Sequence, residues 1–133
     1  SREEGAGRQG WGRLMGGARP WQAAGRAGGA PPAVAGGMLP KAEDGAGLGR
    51  VRTALRPGMM LIALVESAAG IANAREIARC ADRMAFGSID LAADLGCAHV
   101  REALLFARSE IVLAARLAGQ PGPLDGVTTA VGD

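Results

Sequence analysis

Apolar residues along this chain fall into two registers. MMLIALVE at 59–66 and RMAFGSID at 83–90 are nearly unbroken apolar runs, and each closes on a carboxylate, Glu66 and Asp90. Runs of this kind suit parallel strands buried on both faces. They predict strands near 60–66 and 83–88. Between them IANAREIARCADR at 71–83 carries a helical pattern, with a helix expected over 73–81. AVAGGMLP predicts an earlier strand near 34–39, stopped by Pro40, and LDGVTTAV a last one near 124–130. The clearest helix is 99–118, where Val100, Leu104, Ala107, Ile111, Ala115 and Ala118 recur at steps of three and four. A weaker helix is expected over 44–56, diluted by Gly45, Gly47 and Gly49. Pro57-Gly58 then reads as a turn, and Met59-Met60 as core.

Strands alternating with helices imply βαβ units, whose right-handed crossovers bring every strand end to one side of a parallel sheet. Lys41, Glu66, Asp90 and Asp125 stand 25, 24 and 35 residues apart. A (β/α)8 barrel of roughly 250 residues averages about 31 per unit. The expected fold is α/β: about four βα units of a TIM barrel, with the strands parallel, adjacent and in sequence order. Such a partial barrel leaves an apolar concave face and two sheet edges bare. Glu66 and Asp90 then lie at the same end of neighbouring strands, the end where a β/α barrel carries its chemistry. On the residues alone, each acid can equally be a solvated strand end or a helix cap. As ligands, two carboxylates suit Mg²⁺, which takes one or two protein oxygens and keeps the rest of its shell for water and substrate.

Charge and composition sharpen the domain boundary. Residues 1–33 carry five Arg against Glu3 and Glu4, whereas 34–133 carry ten basic and eleven acidic groups. The part with strand and helix patterns is thus nearly neutral and shows no nucleic-acid footprint. Residues 1–32, rich in Gly, Ala and Arg with no sustained period, read as a disordered tail or as altered sequence. Residues 33–133 read as the folded domain. No apolar run reaches the length of a membrane span, and the start lacks a signal-peptide core. Cys80 and Cys97 have neither metal spacing nor the numbers of a disulfide framework, so a cytoplasmic setting is expected.

MLPKAE, LIALVESAAGIANAREIA, RMAFGSIDLAADLG and LDGVTTAVGD, in that order, resemble the CitE-like branch of the HpcH/HpaI aldolase and citrate lyase β-subunit superfamily. The resemblance covers about residues 33–133 and corresponds to the family's strands four to seven, truncated at both ends. FGSIDLAADLG is more similar to the CoA-ester lyases than to the pyruvate aldolases. The resemblance implies a Mg²⁺-dependent carbon–carbon lyase that cleaves a 3-hydroxyacyl-CoA of the citryl-, malyl- or citramalyl-CoA type to acetyl-CoA and an oxo acid. It also implies homo-oligomeric full-length relatives. The alternatives are a class II pyruvate aldolase of the same superfamily, or a non-catalytic remnant kept as an interaction protein.

Carried over residue by residue, Glu66 and Asp90 match the family's Mg²⁺ ligands. Gly87 and Ser88 match the turn whose backbone amides approach the oxo acid's carboxylate. Lys41 and Glu43 fall on the rim of the site or near the CoA, or else form a solvated loop pair. Asp94 and His99 read as surface residues. The strand-three Arg of the family's R-x-N motif has no counterpart here. No residue of this chain stands out as general base, so the catalytic groups stay unassigned and the isolated chain is expected to be inactive.

Overall fold

A computed structural model describes residues 11–13 and 36–126. Four parallel strands form one sheet in sequence order: β1 (Trp11–Arg13), β2 (Gly36–Leu39), β3 (Met60–Val65) and β4 (Arg83–Phe86). Helix α1 (Gly45–Ala54) links β2 to β3. Helices α2 (Ala68–Ala72) and α3 (Ala74–Cys80) link β3 to β4. Helices α4 (Ser88–Leu95) and α5 (Arg101–Leu117) follow β4. The register places Leu39 beside Ala63, and Val65 beside Phe86, so β3 and β4 end together and β2 stops two residues short of them. This is the α/β arrangement of part of a β/α barrel, as the alternation of patterns predicts.

The pleat divides the sheet. Leu61, Ala63 and Val65 of β3 and Met84 and Phe86 of β4 join the main core with Ile77 of α3 and Leu104, Ala107, Ile111 and Ala115 of α5. The expected stripe of α5 is therefore its buried face, except at its ends: Val100 lies outside the helix and half exposed, and Ala118 is the C-cap and partly buried. The opposite face of the sheet opens as a cleft of about 530 Å³ lined by Met38, Leu64, Ala85 and Leu124 among others. Met59 packs against the core, but Met60 at the start of β3 is exposed, so only half of that pair is core.

Glycine explains why α1 holds despite its composition. The Asp44 side chain caps it by accepting from the Gly47 amide at 2.8 Å. A Cβ at Gly45 would meet Glu76 Cγ at 3.0 Å and Cys80 Sγ at 3.1 Å, so its absence lets α1 approach α3 closely. At the far end of the sheet, Asp82 joins three elements. Its Oδ2 accepts from Arg52 Nη1 at 2.8 Å and from the Leu61 amide at 2.7 Å. Partial burial pushes the Asp82 carboxyl up, but the Arg52 hydrogen bond, the Leu61 amide and the Arg52 charge together leave it below the usual carboxylate range.

Two expectations need correction. The segment 1–32, read as a tail, contributes β1: Trp11–Arg13 extends the sheet by pairing in parallel with Gly36–Met38. Three residues are too few for any period to show, and the pairing satisfies the backbone of β2 rather than a side-chain pattern. The rest of that segment lies outside the described residues. The sheet edges are also less bare than expected. Leu124 bridges to Ala85 in parallel, its amide donating to the Met84 carbonyl and its own carbonyl accepting from Phe86, both at 2.9 Å. The remainder of the strand expected over 124–130 lies outside the described residues beyond Gly126. The helix expected over 73–81 is α3, and an additional short helix, α2, precedes it, starting at Ala68 under a Ser67 cap and ending at the break at Asn73. No helix among the described residues is long and apolar enough to cross a membrane.

Candidate functional site

Glu66 is the first residue beyond β3, and it is only 7% exposed. A buried carboxylate must be compensated by donors or opposite charge. One donor is the Lys41 amide, 2.7 Å from Glu66 Oε2. Lys41 reaches it in a left-handed conformation, φ 53°, the one non-glycine residue with positive φ among those described. Such a conformation costs a side-chain-bearing residue of order 1 kcal/mol or more, and it persists because the surroundings impose it. Gly87 fixes the other side of the same carboxylate. A Cβ there would meet Glu66 Cβ at 2.6 Å and Oε1 at 3.1 Å, so only glycine leaves room for Glu66 as it stands.

Asp90 is placed differently from the expectation. Strand β4 stops at Phe86, and Asp90 stands in the first turn of α4 rather than at a strand end. The Gly87 amide still donates to the Val65 carbonyl at 2.9 Å, after which the chain winds directly into helix. An acid in the first turn suits the positive end of the helix. That early turn carries Asp90 over the end of the sheet, where it and Glu66 line two clefts in common. One, of about 460 Å³, is bounded also by Lys41, Ser67 and Asp94. The other is the apolar cleft on the open face of the sheet.

The geometry sorts the remaining expected residues. Lys41 lines the first cleft. Glu43 instead holds the loop: its Oε2 accepts from the Ser67 hydroxyl at 2.7 Å, and its carbonyl accepts from Asn73 Nδ2 at 2.9 Å. It therefore supports the site rather than facing a substrate. Gly87 lines the open-face cleft, but its amide is spent on Val65 and is not offered to an anion. Ser88 is buried, with its hydroxyl 2.9 Å from His99 Nε2. Its amide belongs to the first turn of α4, which has no intrahelical acceptor.

Two residues read as surface positions are exposed, as expected, and each also makes a hydrogen bond. Asp94 Oδ2 accepts from the Ala68 amide at 2.7 Å and lines the first cleft. A signal for this was present in the sequence, because Asp94 follows Asp90 by four residues and so shares its helix face. His99 reaches Ser88 across the turn at 96–98, and no periodicity links the two.

Glu66 and Asp90 suit a hard divalent cation that keeps water and substrate in its shell. Among the described residues no group of three or more His, Cys, Asp or Glu side chains is gathered to cage a metal.

Comparison with known proteins bears on the family and the fold. The family model HpcH/HpaI aldolase/citrate lyase matches residues 33–133. A citrate lyase subunit beta-like protein of Deinococcus radiodurans is 38% identical over 109 residues, covering 77% of this chain and 38% of that protein. The crystal structure of RipC from Yersinia pestis superposes on 99% of this chain and 64% of its own, with TM-score 0.84 and 26% identity. CitE from Mycobacterium tuberculosis in complex with magnesium and pyruvate superposes on 92% of this chain and 53% of its own, with TM-score 0.73 and 32% identity. The same protein is also known with magnesium, acetoacetate and coenzyme A. This chain thus spans from under two fifths to about two thirds of the length of the relatives it matches.

Proposed function

The chain belongs to the HpcH/HpaI aldolase/citrate lyase family, and from that we propose that it carries the metal-binding part of a Mg²⁺-dependent carbon–carbon lyase acting on a 3-hydroxyacyl-CoA. The observation that carries this reading is that Glu66 and Asp90 bound the same two clefts at one end of a parallel sheet. The similarity to CitE, known with magnesium, pyruvate and coenzyme A, supports the choice of cation and of a CoA ester.

The reaction breaks the bond between the hydroxyl-bearing carbon and the carbon next to the thioester. As the bond breaks the hydroxyl gives up its proton to a base, leaving an oxo acid and an acetyl-CoA enolate that then takes up a proton at carbon, so the two transfers cancel. Bound Mg²⁺ supplies Lewis-acid stabilisation for the oxygen that becomes the carbonyl. Glu66 holds one carboxylate at the sheet end, oriented by the Lys41 amide and by the space that Gly87 leaves. Asp90 brings the second carboxylate from α4. With the Gly87 amide committed to Val65, Ser88 is the remaining member of that pair for the oxo acid's carboxylate. Its amide stands at a helix start, where anions are favoured. The apolar cleft beyond Glu66, lined by Met38, Leu64 and Ala85, offers the reacting carbons an apolar surface to lie against.

Calorimetric titration with Mg²⁺ tests the assignment. One site is expected in the wild-type chain, and it is lost in Glu66→Gln plus Asp90→Asn. A double variant that binds Mg²⁺ as the wild type does overturns the reading. Within the whole protein, release of acetyl-CoA from malyl- or citramalyl-CoA, and not cleavage of a 4-hydroxy-2-oxo acid, is the expected activity.

A further inference from the structure

Three consecutive residues at the end of β3 are each held by a bond from another element. The Glu66 carboxylate accepts from the Lys41 amide, the Ser67 hydroxyl donates to Glu43, and the Ala68 amide donates to Asp94, all at 2.7 Å. The first two bonds come from the segment that follows β2. The third comes from the opposite side, from α4, four residues beyond Asp90 on the same helix face. Asp94 therefore joins the helix that carries one proposed ligand to the loop that carries the other.

We propose that Asp94 is a positioning residue that sets the separation of Glu66 and Asp90, a role that rests on the metal reading above. The Ala68 amide is the first of α2, so it has no acceptor within its own helix, and Asp94 supplies one. Without that bond, the residues just after Glu66 lose their tie to the end of α4, and the spacing of that helix from the loop rests on core packing and on the Gly87–Val65 ladder bond. The cation then meets two carboxylates whose spacing must be restored at the cost of affinity. Residues that orient ligands in this way typically change metal affinity by about ten- to a hundred-fold when removed.

Both ends of the bond can be tested. Asp94→Ala removes the acceptor, whereas Asp94→Asn keeps an oxygen that accepts the same amide and discards only the charge. Ala68→Pro removes the donor at a first helical position, where proline is tolerated and Ser67 before it is already extended. The measurements are Mg²⁺ affinity by calorimetry and exchange of the residue-68 amide in metal-free protein. Asp94→Ala should lose protection of the Ala68 amide and bind Mg²⁺ about ten- to a hundred-fold more weakly. Ala68→Pro should show the same loss of affinity, and the double variant should show no more, as expected for two halves of one interaction. Asp94→Asn should keep the amide protected and the affinity within about threefold of wild type.

If Asp94→Asn loses as much affinity as Asp94→Ala while the amide stays protected, Asp94 acts through its charge and the proposal is overturned. Wild-type affinity in Ala68→Pro overturns it too, even if Asp94→Ala fails to fold. A wild-type chain that takes up no Mg²⁺ overturns the metal reading and this proposal with it. A wild type that binds Mg²⁺ no better than Asp94→Ala overturns the proposal alone.

Discussion

Glu66 shows how few atoms decide a site of this kind. Its carboxylate is buried, turned by one backbone amide and confined by a missing side chain at Gly87. Gly87→Ala places a methyl group 2.6 Å from Glu66 Cβ, an approach that backbone or Glu66 must relieve by moving. We expect a loss of about 1–3 kcal/mol in unfolding free energy, the usual cost of overpacking, measured by urea denaturation. Weaker Mg²⁺ binding should accompany it. Lys41 predicts the opposite sign. At φ 53° a glycine is unstrained, so Lys41→Gly should leave stability unchanged or raise it by up to about 1 kcal/mol in the same assay. The amide that holds Glu66 is retained in that variant, so Mg²⁺ affinity should persist unless the Lys41 side chain itself takes part.

The elements are held at both ends of the sheet by carboxylates with different tasks. At the end away from the clefts, Asp82 ties α1 to β3 through Arg52 and the Leu61 amide. Its pKa is lowered in the folded protein, so its contribution is present above the unfolded value of about 3.8 and is lost as pH falls below it. Wild type should therefore exceed Asp82→Asn in urea midpoint at pH 7, and the gap should close as pH falls below about 4. A gap that stays constant as the pH falls would show that the charge of Asp82 is not its source. Helix α5 is the other determinant at this scale. Leu104 and Ile111 are buried to 1% against β4 and α3, and Leu104→Ala should cost about 2–5 kcal/mol in denaturation.

Over the whole molecule, the helix-covered face of the sheet is a packed core and the other face is a cleft lined by Met38, Leu64, Ala85 and Leu124. Apolar surface of that kind binds hydrophobic dyes, so the 133-residue chain should enhance the fluorescence of an anilinonaphthalene probe. Leu64→Gln should weaken the enhancement, while unchanged fluorescence on adding the chain would show that this face is closed in solution. The relatives extend well beyond the part matched here. A coupled assay for acetyl-CoA should accordingly find no turnover from this chain by itself, with or without Mg²⁺, even where calorimetry finds the cation bound.

What the sequence determined by itself was the order and kind of the elements. The apolar runs at 59–66 and 83–90 and the stripe of 99–118 are local patterns, and burial in a parallel sheet demands such patterns wherever it occurs. The same runs brought Glu66 and Asp90 to notice, because a carboxylate that closes an apolar strand breaks its pattern. The tertiary structure decided how those acids are held. Asp90 sits on a helix turn rather than a strand end because the Gly87 amide completes the ladder with Val65 before the chain turns. Asp94, Glu43, Ser67 and the Lys41 amide acquire their roles from hydrogen bonds across 24 to 26 residues of chain. Strand β1 likewise rests on backbone pairing that leaves no side-chain pattern. Burial is periodic and so is written along the chain, whereas a hydrogen bond between distant loops depends on distances that exist only once the sheet has brought its strand ends together.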